Sequence, residues 1–382
     1  MGWTVIAALA LPAGASGLTA AITLDPGPAP DRPAVARELA MLPASGHEAA
    51  GPLTCADQPA GSGPFDIAIN AGATLSANPA ALAAFHRAAG QWEAWMTDPV
   101  TVNIDADLAD MGSGNIIGST SSVLLVGSYT LIRDQMVADS LDEPDDAIVS
   151  AIPTAAQYSV WLPVGIGLNG NLMATKANLK AMGFTGLDAD FGASDATVTF
   201  NTQFSFDFDN SDGVDPGKID FETVAAHELG HALGYVSEVD DIDWRLANGL
   251  AGDIWPSALD LLRFDNDGAS DPSTAGQFTT FPRSMVPNND EITDIIADEW
   301  RMSTGAYTGD GRQASHWKDD SLTGTTTIGI MDPTLSYGQV TPVTEADLYV
   351  FDLIGYEIVV PEPMTTVLLA LGGLALLRRR RA

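Results

Sequence analysis

Thr223-Val224-Ala225-Ala226-His227-Glu228-Leu229-Gly230-His231-Ala232-Leu233-Gly234 decides how the rest of the chain is read. Val224, Ala225, Leu229, Ala232 and Leu233 form the apolar body of a helix that predicts its own burial. Two histidines four residues apart lie about 40° apart on one helix face, one turn from each other, so both imidazoles reach a single ion. Glu228 projects toward the same side. Asp220 is placed to cap the helix, Glu222 puts acidic charge in its first turn, and Gly234 supplies the left-handed residue that ends it. The competing reading is a surface helix with two solvated histidines, which the flanking Ala and Leu residues argue against. A Zn²⁺ ion with neutral imidazole ligands and one open position brings the pKa of bound water to about 7, and Glu228 is placed to take that proton.

The whole chain sets the context for this helix. It has 382 residues, 17 basic against 50 acidic, and a formal charge of -33. Such a surface repels nucleic acid and anionic membrane, which excludes both as partners, and it suits a secreted protein. Cys55 is the single cysteine, so no intrachain disulfide framework exists. Histidine is scarce: beyond the motif there are only His47, His86 and His316.

Residues 1–21 form an apolar run followed by small residues, which reads as a secretory signal without the usual basic start; the alternative is a buried N-terminal element. Residues 22–64, rich in Pro, Gly and Ala, read as a linker or short pro-segment. Cys55 lies there, either incidental or a thiolate that plugs the metal until it is cleaved away. The folded part opens at Phe65. Strands are predicted at Phe65–Ile69, Val100–Ile104, Ser122–Val126, Ser159–Leu168 and Ala196–Phe200. Helices are predicted over Asn78–Trp95, with Pro79 at a first helical position, over Tyr129–Asp139, and from Thr344 to Gly355 behind a near capping box. His86 belongs on a helix surface. Asp207, Asp209, Asp212 and Asp215 crowd a glycine-containing loop that reads either as a Ca²⁺ site or as a solvated turn; its spacing is not that of an EF-hand. At the end stand Val360-Pro361-Glu362-Pro363, an apolar stretch from Met364 to Leu377 that is short for a full span, and four arginines.

His227 to Gly234, Ser315-His316-Trp317 and Ile330-Met331-Asp332-Pro333 together resemble the metzincin zinc proteases. In most metzincins a third ligand follows three residues after the glycine; here that position is Ser237. The leishmanolysin-like branch instead carries its third histidine far downstream in a His-Trp pair, and this chain is similar to that pattern across residues 65–356. The resemblance implies that His227, His231 and His316 are zinc ligands, that Glu228 is the general base, and that Met331 forms the floor under the metal. Asp240 is the runner-up for the third ligand, with Glu238 and Asp241 beside it. Separately, Val360 to Arg381 resembles a PEP-CTERM sorting signal, which implies removal of the tail by an exosortase-type enzyme in a Gram-negative envelope.

The expected fold is α+β and metzincin-like: a mixed twisted sheet, a long active-site helix and an irregular C-terminal subdomain. Residues 65–234 are expected to form the N-terminal subdomain, 235–357 the subdomain with third ligand and Met-turn, and 358–382 the sorting tail, the only part to contact a membrane. The expected function is a secreted zinc endopeptidase acting on protein or peptide substrates, with Ala196–Phe200 as the sheet edge that pairs with substrate. The alternative is a non-catalytic envelope or matrix protein that keeps a structural zinc site.

Overall fold

A computed structural model describes residues 65–359, apart from 113, 143–144, 266–271, 273, 290–291, 294–299 and 325, together with the backbone of four two-residue strands nearer the N-terminus. The sorting tail predicted from the sequence, and most of the signal and linker, lie outside the described residues; Ile6–Ala7 and Thr19–Ala20 of the signal segment are described as short strands.

The chain mixes helix and strand. Strand β1 (Asp66–Ala71) leads to helix α1 (Pro79–Glu93), which starts with Pro79 at its first position and the Asn78 side chain accepting from the Ala81 amide. Next come β2 (Thr101–Ala109), β3 (Gly118–Ser122), β4 (Leu124–Ser128) and α2 (Tyr129–Asp139). After β5 (Asn171–Thr175) and the short α3 (Lys176–Ala181) comes β6 (Ala196–Asn201). Helix α4 (Phe221–Leu233) carries the histidine motif, α5 (Val239–Ala247) follows directly, and α6 (Glu345–Leu353) closes the fold.

The main sheet runs β3-β6-β2-β1, with β6-β2 and β2-β1 parallel and β3-β6 antiparallel. Thr19–Ala20 adds antiparallel to the outer side of β3. Ala196–Phe200 is therefore an interior strand and not the sheet edge. Residues 118–122 lie outside it, between β6 and the short Thr19–Ala20 strand that takes the edge. Their inward positions 118, 120 and 122 are Gly, Thr and Ser, so no apolar alternation marks them, and the apolar run after them belongs to β4 in a separate sheet with β5.

Helix α4 is the axis of the core: every residue from Phe221 to Leu233 is buried except Glu222. Asp220 caps it by accepting from the Thr223 amide at 2.9 Å, and Gly234 ends it at φ 142°. Trp92 of α1 is fully buried, donates from Nε1 to the Ala226 carbonyl at 2.9 Å, and stacks edge-on against Phe351 of α6. One apolar cluster runs from Phe65 to Tyr356 through both halves of the chain. The chain stays attached beyond Tyr356: the Val359 amide donates to the Trp95 carbonyl, and the Glu357 amide to Asp98. His86 is exposed on α1. No helix among the described residues is long and apolar enough to cross a membrane.

Candidate metal centre

Helix α4 delivers His227 and His231 to one side, and the segment 313–317 brings His316 to meet them. All three are fully buried. Their Nε2 atoms stand 3.0, 3.2 and 3.2 Å apart. Each ring's other nitrogen faces a backbone carbonyl: His227 Nδ1 meets Ile330 O at 2.7 Å, His231 Nδ1 meets Tyr235 O at 2.8 Å, and His316 Nδ1 meets Gln313 O at 3.2 Å. A carbonyl only accepts, so each Nδ1 carries the proton and each Nε2 presents a lone pair. Burial also pushes all three pKa values down, that of His227 to about 4, and keeps the rings neutral. Three lone pairs converging in a dry interior call for a cation. A tetrahedral ion with bonds of ~2.0–2.1 Å would hold its ligand atoms ~3.3–3.4 Å apart, close to the spacing observed. The group could hold a metal ion.

Glu228 is buried beside His227. The Thr120 hydroxyl of β3 lies 2.6 Å from its Oε2 and 2.9 Å from its carbonyl. Ser122, two residues on, donates to the His231 carbonyl at 3.0 Å. Gly118, two residues before, leaves the room: a Cβ there would stand 2.7 Å from Glu228 Oε1. The inward face of β3 thus cradles the motif helix with a glycine and two hydroxyls. These residues were not singled out from the sequence; the only signal was the period-two spacing of small and hydroxyl side chains in a Gly-Ser-Thr-Ser-Ser run.

Met331 lies directly against Gly230, where its sulfur takes the space a Cβ would fill. The nearby acids considered as third ligands are engaged elsewhere. Asp240 accepts from the Ala314 amide at 2.6 Å, and from the Ser315 amide and hydroxyl at 3.1 and 2.6 Å. Ser315 Oγ in turn accepts from the Ser237 amide at 2.9 Å. Asp240 therefore fastens the residues just before His316 to the start of α5, and burial raises its pKa to about 7. Asp241 pairs with Arg245. Burial likewise raises the Glu238 pKa well above the usual carboxylate range. Ser237 donates to Asp260 at 2.6 Å.

The acidic loop behaves as a turn. Asp207 accepts from the amides of Asp209 and Asp215, and Asp209 accepts from that of Ser211. Asp207, Asp209, Asp212 and Asp215 do not converge as a metal-holding group, whereas Asp319, Asp320 and Asp332 do. Each carboxylate of that second group already has at least one protein donor: Arg312 and Ser321 at Asp319, Thr327 at Asp320, Thr334 and the Asp320 amide at Asp332. The Cys55 backbone pairs with Phe184. Compared with protein-family models, curated proteins and solved structures, the chain matches none.

Proposed function

We propose that this chain is a zinc-dependent endopeptidase of the metzincin type, with His227, His231 and His316 as metal ligands and Glu228 as general base. The observation that carries the reading is a buried triad of lone pairs with no fourth ligand-grade side chain gathered to it among the described residues. A structural zinc site is normally closed by a fourth protein ligand, while a catalytic one keeps a position open. When bound, the ion supplies a Lewis acid for the scissile carbonyl and lowers the pKa of water.

The rest of the chemistry belongs to the chain's own residues. Glu228 takes a proton from the attacking water and returns it to the leaving amine. The Thr120 hydroxyl and the space at Gly118 fix the position of that carboxylate. The carbonyls of Ile330, Tyr235 and Gln313 hold the imidazoles in the tautomer that ligates. The outer edge of β3 takes extended backbone, as Thr19–Ala20 does, and an extended peptide substrate would pair there. A secreted or envelope location, with exosortase-type removal of the tail, fits the acidic surface and the residues after 359.

The test is hydrolysis of casein by the purified protein with and without 1,10-phenanthroline, followed by zinc re-addition. Loss with chelator and recovery with zinc is the expected result. A chain that holds one zinc and cleaves no peptide substrate would favour the structural alternative, an envelope or matrix protein.

A further inference from the structure

Asp347 lies on α6, 16 residues beyond Met331, and its side chain is completely buried. Read locally it is a capping residue: it accepts from the Thr344 amide at 2.8 Å and lies 2.9 Å from the Thr344 hydroxyl. Its carboxylate also accepts from the Ile330 amide at 2.8 Å, the Met331 amide at 3.3 Å and the Trp317 indole at 2.8 Å. Gly329 leaves the space it needs, since a Cβ there would overlap the carboxyl group.

These bonds lead to two of the three histidines. The peptide unit between Ile330 and Met331 donates its N–H to Asp347 and offers its C=O to His227 Nδ1 at 2.7 Å. In a planar trans peptide these two groups point in opposite directions, so fixing one aims the other. Trp317, held by its indole, follows His316 directly, and its amide donates to the Met331 carbonyl at 3.0 Å. We propose that Asp347 is a positioning residue for the metal centre, with one buried carboxylate setting the tautomer and direction of His227 and the placement of His316. This rests on the reading of the triad as a metal centre. It assigns helix α6 a part in metal binding that a cap alone would not have. Partners of this kind behind ligating histidines typically govern 10- to 100-fold in metal affinity.

The experiment uses the full chain loaded with Co²⁺, whose visible bands report ligand geometry, alongside zinc affinity by chelator competition and thermal unfolding. Asp347→Asn keeps the shape and replaces one acceptor oxygen with a donor. It should weaken zinc binding by about 10- to 100-fold and shift the cobalt bands. Thr344→Val removes a hydroxyl that meets the same carboxylate and the Ile328 carbonyl but leaves the Asp347 bonds to Trp317, Ile330 and Met331 in place; it should lower the unfolding temperature and change affinity and spectrum much less than Asp347→Asn does. Where Asp347→Asn does not fold, Trp317→Phe removes a single donor and should still weaken zinc binding at least about threefold. Wild-type zinc affinity and spectrum in Asp347→Asn, or in Trp317→Phe where it stands in, would overturn the proposal, whatever the loss of stability. A wild-type chain that takes up no cobalt overturns the metal reading, and the role of Asp347 with it.

Discussion

Gly118→Ala tests the placement of Glu228 without touching a metal ligand. The new Cβ would stand 2.7 Å from Glu228 Oε1, 3.0 Å from its Cγ and 2.9 Å from a methyl of Val224, where ordinary contact begins at 3.4 Å. The carboxylate has to withdraw by roughly 0.7 Å, and with it goes the 2.6 Å contact to the Thr120 hydroxyl. Misplacing a reacting group by about 1 Å costs on the order of 100-fold, so a loss of roughly 10- to 100-fold in kcat/KM is expected. Gly118 is not among the positive-φ glycines, so alanine fits its backbone. The assay compares initial rates on a fluorogenic peptide at matched zinc content, with metal counted by mass spectrometry. Wild-type rates in a fully loaded variant would refute the reasoning. So would loss of metal, because the clash would then be relieved by movement of α4 rather than of the carboxylate.

His316→Ala should lower zinc affinity by orders of magnitude, whereas Asp240→Ala, which releases Ala314 and Ser315 rather than the ion, should lower it by about 10- to 100-fold; chelator competition separates the two. Burial and the neighbouring Asp319 carboxylate raise the Asp332 pKa from 3.8 to about 8, so the folded state holds a proton that the unfolded state releases. The stability this group contributes is present below pH 3.8 and is lost as pH rises through 8. The Tm of Asp332→Asn relative to wild type should therefore climb between pH 5 and 8, and a difference independent of pH would contradict the assignment. A chain ending at Val359 should unfold like the full chain. One ending at Tyr356 loses three backbone hydrogen bonds, those of the Thr97, Glu357 and Val359 amides, worth roughly 2–4 kcal/mol together, and should melt earlier.

Helix α4 was legible because its signals are local. Asp220, the apolar body and Gly234 sit within one stretch, and the structure uses each as expected. Helix α1 was legible for the same reason, with Pro79 and Asn78 at its start. Strand β3 was not legible, because its inward face packs hydroxyls against the helix carbonyls of Glu228 and His231 instead of apolar groups against a core. Missing it promoted β6 to an edge it does not occupy. Direction was the other loss. Sequence gives Asp240 a charge and a place after the motif, and both suit a ligand; only the fold turns the carboxylate toward Ala314 and Ser315. Asp347 was legible as a capping-box residue, while its bonds to residues 16 and 30 positions earlier come from tertiary packing alone.

The catalytic and structural readings differ in what Glu228 does. As a ligand it would close the site; as a base it must stay off the ion. The structure engages its Oε2 with Thr120, and the group of convergent ligand atoms contains histidines alone. All three imidazoles are backed by carbonyls rather than carboxylates, so the proposed ligand set is neutral and a dication held there would keep its full charge for polarising a carbonyl. Glu228→Gln preserves size and the Thr120 contact while removing basicity. Zinc content and the three-nitrogen shell seen by X-ray absorption should remain as in wild type, and peptide hydrolysis should fall by roughly four orders of magnitude, as expected when proton transfer is lost. A changed shell would make Glu228 a ligand and the site a closed one. An unchanged shell with undiminished hydrolysis would move the base to another residue.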